Sequence, residues 1–327
     1  MDDQSATLSG IAGDPLRAPV KAFVNPSNNI PDCAAFQLDK LEQAALALNT
    51  MVTSVDPRNI NLTEPQKELL RWHQRLGHLD FKKIQFLMRS GALSWSASKR
   101  SLHTQPAKLT HPPQCAACQF GKQTTRPVKG HPNKGTAVVD RAPVLKEDKL
   151  FPGQMISVDH FVCTTKGVTP TSRGGANAPG HTGGCIMVDL ASGLVHVEFQ
   201  QHLNTHETLK GLQLFEIWCM DHGVVPTNYI SDSGSAFTSK AFMKRLETYK
   251  QIITFVGTSA HHHNAVAERS IRTIMSIART MMIHAASHWP EMAADATLWP
   301  LAVKYAVYIF NRVPNRETGL SALDVFN

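Results

Sequence analysis

The spacing of apolar residues divides the chain into two differently organised regions. In the first, residues 36–50 (FQLDKLEQAALALNT) repeat Leu38, Leu41, Ala45 and Leu48 at helical intervals and predict an amphipathic helix. Residues 64–76 predict a second helix, with Pro65 in its first turn. Residues 80–93 predict a third, with Phe81, Ile84, Leu87 and Met88 along one face and Gly91 at its end. Residues 1–35 lack such a pattern and read as poorly ordered. Residues 95–114 are polar and basic and read as an insertion loop. From Cys118 to about residue 150 the composition is that of a linker.

From residue 154 the period changes. QMISVDHFVC predicts a strand, and residues 164–184, rich in Gly, Thr and Pro, a loop. GCIMVDL and LVHVEFQ predict a hairpin turning at ASG. A helix follows (THETLKGLQLFEIWCMDHG, capped at Asn204 or Thr205), then a strand ending at Asp232 (TNYISDSG). SKAFMKRLETYK is a helix and QIITFVGTS a strand. Two long helices close the chain, one from AVAERS and one from ATLWPL, the latter with Pro300 in its first turns. The order β-β-β-α-β-α-β-α-α predicts an α/β domain with a mixed five-stranded sheet: a meander first, then strands alternating with helices.

At 327 residues the chain has room for about two domains. No apolar run approaches a membrane span, and the start (MDDQSATLSG) lacks the features of a signal peptide, so the expectation is an intracellular protein without membrane association. Charge sharpens the picture. Residues 1–70 carry a net −4, residues 71–150 a net +11 and residues 151–327 a net of zero. A basic surplus confined to one block points to nucleic acid, though a solvated surface has the same composition.

Two constellations carry chemistry. His73 and His78, followed by Cys115 and Cys118 in a CxxC, form a two-imidazole, two-thiolate set suited to structural Zn²⁺. Either half alone is weak, and a CxxC can equally be a redox pair. His103, His111 and His131 lie in polar sequence and read as solvated. The second constellation is acidic. Asp159 interrupts an otherwise apolar strand, where a carboxylate is costly unless it serves a purpose. Asp232 ends another strand, and Glu268, 35 intervening residues later, opens a helix. Three carboxylates from two strands and one helix can hold two divalent cations, the arrangement used for in-line phosphoryl transfer. Taken singly, each acid could be a turn former or a helix-dipole partner. Three consecutive histidines, 261–263, point in different directions and do not suggest a shared metal.

LLRWHQRLGHLDFKKIQFLMRSGAL followed by CAACQFGKQTTRP resembles the pre-integrase zinc module of copia-type retrotransposon polyproteins. The stretch SVDHF, SDSGSAFTS and HHHNAVAERSIRTIMSIARTMM resembles the integrase catalytic core that follows it, and the resemblance spans residues 64–327. It implies a ribonuclease-H-like core at 151–327, a zinc-binding module at 64–127, a basic linker at 128–150, and a poorly ordered segment with one helix at 1–63. It implies that Asp159, Asp232 and Glu268 hold two Mg²⁺ or Mn²⁺ ions and that His73, His78, Cys115 and Cys118 hold Zn²⁺. It also implies that His261 and Asn264 lie beside the site, contacting DNA or positioning the helix; Arg269 and Arg272, near the start of that helix, either reach the nucleic acid or form a solvated face, and Lys122 and Arg126 of the basic block are expected along it. The implied activity is joining of the element's DNA 3′ ends to target DNA by a self-associating enzyme acting in the nucleus, with a cytoplasmic particle before that. Ser233 and Ala265 depart from the family's usual Asn and Gly. The chain reads as a processed or truncated piece of a polyprotein. The alternatives are an inactive or domesticated remnant that only binds nucleic acid, and a ribonuclease H, whose additional acid could only be Asp189.

Overall fold

The computed structural model describes residues 62–93, 103–123, 150–169, 180–256, 265–290 and 295–327. The predicted N-terminal helix, the linker, Arg126, His131, His261 and Asn264 lie outside them.

Among the described residues, the first region holds three α-helices. In α1 (Glu64–Arg75), Thr63 and Gln66 form a reciprocal cap, and Pro65 occupies the first turn. In α2 (Phe81–Ser90), Asp80 accepts a hydrogen bond from the backbone of Lys82, and Gly91 closes the helix in the left-handed conformation. The short α3 (Ala116–Gly121) starts directly after Cys115. Leu69, Ile84, Met88 and Ala107 make a small core.

Two expectations are corrected here. Part of the presumed insertion loop folds into a 3₁₀ turn, Pro106–Lys108, and Gln85 Nε2 donates to the carbonyls of Pro106 and Leu109. The segment is therefore part of the module's core. His103 is buried rather than solvated, edge-on to Trp72 with ring centroids 5.9 Å apart.

The second region is built on one five-stranded sheet in the order β3-β2-β1-β4-β5. β1 (Ile156–Gly167) pairs antiparallel with β2 (His181–Asp189), and β2 antiparallel with β3 (Val195–Gln200). β4 (Asn228–Ser231) runs parallel to β1, and β5 (Ile252–Phe255) parallel to β4. The predicted loop at 164–184 is shorter than expected, because β1 continues to Gly167 and β2 begins at His181. α4 (Thr205–Asp221) is capped by Asn204 and α5 (Lys240–Thr248) by Ser239. α6 (Ala265–His288) runs for 24 residues. The last predicted helix divides into a 3₁₀ turn, Ala296–Leu298, and α7 (Trp299–Arg312), with Pro300 early in α7, where its missing N–H costs nothing. A short α8 (Ala322–Phe326) closes the described chain. The strand order and directions are those expected of a ribonuclease-H-like core: a mixed sheet with helices on both faces. Among the described residues, no helix is long and apolar enough to cross a membrane.

The sheet separates two cores. On one face Ile156, Val158, Cys185 and Met187 pack with α4, α5 and α8. On the other, Phe161, Cys163, Ile186 and Val188 pack with α6 and α7. Trp299, fully buried, anchors that second core. Its indole donates to the Thr165 carbonyl (2.9 Å), and its ring meets Phe161 and Phe199 edge-on. Trp299→Ala should therefore cost roughly 3–5 kcal/mol, read as a shift of the urea midpoint. A loss under about 1 kcal/mol would mean the second core is held elsewhere.

Candidate active site and metal centre

Strand period and register decide which side chains can meet. In β1 the residues alternate between the two cores. Ile156 and Val158 point to one, Phe161 and Cys163 to the other. Asp159 shares the parity of Phe161 and so faces α6, the helix that carries Glu268 in its first turn. His160 faces the opposite side, stacked on Phe237 (centroids 4.5 Å apart) with its Nε2 3.0 Å from Thr208 Oγ1. The parallel register matches Ile156 with Tyr229 and Ser157 with Ile230. Carrying that register two residues further sets Asp232, just past the end of β4, opposite Asp159.

The electrostatics follow this geometry. Asp159 is 6% exposed. Burial, the Asp232 charge and, to a lesser extent, the Glu268 charge push its carboxyl up to about 8, against the opposing hydrogen bond from the His160 N–H. Asp232 is half-buried, and its Oδ1 accepts from the Gly234 N–H at 3.1 Å. Burial also lowers His160, to about 4, so it stays neutral near physiological pH. The charges of Asp232 and Glu268 both reach Asp159, but among the described residues the three carboxylates do not close into a metal cluster as the His and Cys donors do; an all-oxygen set of this kind suits Mg²⁺ or Mn²⁺.

Asp189 does not join this group. It is fully buried and accepts hydrogen bonds from Gly153 N, Ser192 N and Ser192 Oγ, which organises the β2–β3 turn. This gives it a local structural task and nothing of the fourth acid a ribonuclease H would need.

The second cluster is formed by His73, His78, Cys115 and Cys118, whose donor atoms all lie within 4.8 Å of one another. His73 Nε2 and His78 Nδ1 are 3.1 Å apart. Cys118 Sγ is 3.3 Å from His73 Nε2, and Cys115 Sγ is 3.4 Å from His78 Nδ1. A tetrahedral zinc with ordinary Zn–N and Zn–S lengths has ligand–ligand edges of about 3.3–3.8 Å, so the set fits that ion. His73 Nδ1 donates to the Leu79 carbonyl at 2.8 Å, which leaves Nε2 as the bare donor. Gly77 and His78 both adopt positive φ, +61° and +60°, and this tight reversal brings His78 back to His73. The hydrogen bond from Cys118 holds Cys115 well below the usual thiol range, and the same bond holds Cys118 above it. Both cysteines are free, so this CxxC is not a disulfide.

The nucleic-acid residues expected from sequence are distributed differently. Arg269 and Arg272 are exposed on the first turns of α6, with Arg269 Nε donating to the Ala265 carbonyl. Lys122 Nζ donates to the His78 carbonyl at 2.9 Å and braces the metal-ligand loop. Sequence reading missed His284, whose ring lies 4.8 Å from that of His78. It occupies an ordinary position on a long helix and carries no local signal.

Residues 45–123 match the family model described as the GAG-pre-integrase domain. That match covers the four-donor cluster and ends before the sheet begins, so the chain is similar to GAG-pre-integrase proteins over its first region. The chain is also similar to the retrovirus-related Pol polyprotein from transposon TNT 1-94 of Nicotiana tabacum. It is 24% identical over 294 residues, covering 82% of this chain. The chain spans 18% of that polyprotein's length. Solved structures similar to it include the HTLV-2 integrase catalytic core domain in complex with magnesium, at 15% identity and a TM-score of 0.38, covering 54% of this chain and 99% of that one. The simian T-cell lymphotropic virus intasome in complex with PP2A regulatory subunit B56 gamma matches at 15% identity and a TM-score of 0.41, covering 54% of this chain and 55% of that one.

Proposed function

We propose that the chain is an integrase that joins DNA 3′ ends to target DNA. The observation that carries this reading is the convergence of Asp159 and Asp232, aligned by the β1–β4 register, on the face covered by the helix bearing Glu268. These three side chains would hold two Mg²⁺ or Mn²⁺ ions. When bound, such ions orient the attacking hydroxyl and stabilise the leaving oxygen. In the reaction, a 3′-hydroxyl attacks a target phosphodiester. A new P–O bond forms, the bond to the target's 3′ oxygen breaks, and that oxygen leaves with a proton. No covalent enzyme intermediate is needed. The protein's part is positioning: a buried strand fixes Asp159, the strand end fixes Asp232 and the first turn of α6 fixes Glu268.

The four His and Cys donors would hold a structural zinc. Arg269 and Arg272 lie one and four residues from Glu268, within reach of a DNA backbone that enters the site. Exposed Leu214, Ile217 and Met220 along α4 support self-association. Action on chromosomal DNA places the protein in the nucleus at that stage.

The test is strand transfer in vitro, with a labelled duplex bearing the element's terminal sequence and Mg²⁺ or Mn²⁺. Joined product is expected from the native chain and at least ~10³-fold less from Glu268→Gln. DNA binding should persist in the variant and weaken steeply with salt. Binding without joining in both proteins would sink the enzymatic reading and leave a remnant that only holds nucleic acid.

A further inference from the structure

The metal module is built into the core of the catalytic domain. Ala117 of α3 is a member of the same buried cluster as Ile274, Ala278 and Met282 of α6, with Cys115 and Phe120 packed against it. At the seam the two backbones nearly touch. A Cβ on Gly121 would lie 2.7 Å from Thr280 Cα and 2.3 Å from its hydroxyl. The reversal at Gly77 rests on side chains of α6, where a Cβ would lie 3.1 Å from Met281 Sδ and 3.7 Å from Ile277. The His78 ring meets the His284 ring edge-on, and Tyr305 of α7 donates to the Arg75 carbonyl at 2.8 Å.

We propose that the four-donor metal site acts as a positioning device for Glu268. Cation binding fixes Cys115, Cys118 and the short helix between and beyond them. That helix completes the apolar seat of residues 274–284, and α6 transmits the restraint to its first turn. α6 has no Gly or Pro between Ala265 and His288, so it transmits a tilt as a rod. Glu268 lies twelve residues from Thr280, about 18 Å along the axis. A tilt of about 5° at the seam therefore moves the carboxylate by roughly 1.5 Å, enough to spoil a site that depends on alignment. α3 is a single short helix and cannot hold its own shape without the metal ligands that bracket it.

This inference rests on the reading of the four donors as a zinc site, and its test reads backbone protection instead of DNA joining. Amide hydrogen exchange would be followed across α6 in the full chain, with zinc content measured in parallel. Three samples are compared: zinc-loaded, stripped with 1,10-phenanthroline, and stripped then reloaded. Stripping is expected to lower protection of residues 274–284 at least tenfold, and reloading to restore it. Gly121→Val forces the seam apart without touching a ligand. It is expected to keep about one zinc per chain and still lose that protection. Ser90→Ala, on α2 away from the seam, serves as a control and is expected to change neither.

Unchanged α6 protection in a chain that has released its zinc would overturn the coupling, as would unchanged protection in Gly121→Val. A chain that takes up no zinc at any stage overturns the zinc assignment and the metal half of the proposal together, while strand transfer separately tests the integrase reading.

Discussion

Asp159→Asn is expected to abolish DNA joining and, in magnesium-free buffer, to make the protein more stable than the native chain. The carboxyl of Asp159 is pushed up to about 8 by burial and by its acidic neighbours. In the unfolded chain it ionises near 4. Between those values the unfolded state has released a proton that the folded state retains, so the native chain loses stability as pH rises from about 4 to 8. An amide removes that penalty. The difference between about 4 and about 8 sets an upper bound of ~5 kcal/mol on the penalty at pH 8, and the gain there should be at least about 2 kcal/mol, or roughly 4–8 °C in Tm, and it should shrink at pH 5. Added Mg²⁺ should stabilise the native protein and leave the variant unmoved. Thermal melts at the two pH values, with and without Mg²⁺, check this. A variant no more stable than the native chain at pH 8 would show that Asp159 bears no such charge burden.

The second large effect lies behind the site. Glu216 on α4 is buried and pairs with Arg245 of α5. It also accepts from Tyr229 Oη at 2.6 Å and Gln251 Nε2 at 2.7 Å. The network ties α4 and α5 to Tyr229 on β4 and to Gln251, the residue before β5. It thereby braces the strand whose end presents Asp232. Arg245→Ala leaves the Glu216 carboxylate buried with only neutral donors and should cost roughly 3–5 kcal/mol. Replacing both partners, Glu216→Met with Arg245→Met, should recover much of that loss, because the uncompensated charge is then gone. Chemical denaturation of the single and double variants tests the pair. A single-variant cost below about 1 kcal/mol would mean that water already screens it.

Much of this architecture is legible in the chain because the relevant signals are local. The alternation around Asp159, the cap at Asn204 and the Gly91 stop are each set by a few adjacent residues. What was misread depends on distant partners. His103 is buried because Trp72, some thirty positions earlier, gives its ring a place to pack. Gly183 and Gly184 look like loop residues, yet they belong to β2. A Cβ on Gly183 would lie 2.0 Å from the Phe161 carbonyl oxygen, and only glycine permits that approach. The seat of α3 against Thr280 was equally hidden, since CAACQFG announces a pair of thiols but not the surface on which its helix rests. In the acidic site, residue identity marked the three carboxylates. Their common face emerges only from the β1–β4 register.

The division of β1 between two cores also bears on how copies of such a sequence decay. A point substitution at Asp159 silences one position and leaves the hydrophobic faces on either side untouched, so a copy damaged in this way still folds and passes for an intact one. Deleting a single residue from the middle of the strand does something else: it exchanges the sides of every residue beyond the cut and sends His160 toward α6 in place of the acid. Lineages of this chain are thus expected to keep the length of the Ile156–Phe161 segment long after its acid has been lost, because the spacing is guarded by folding and the carboxylate only by use.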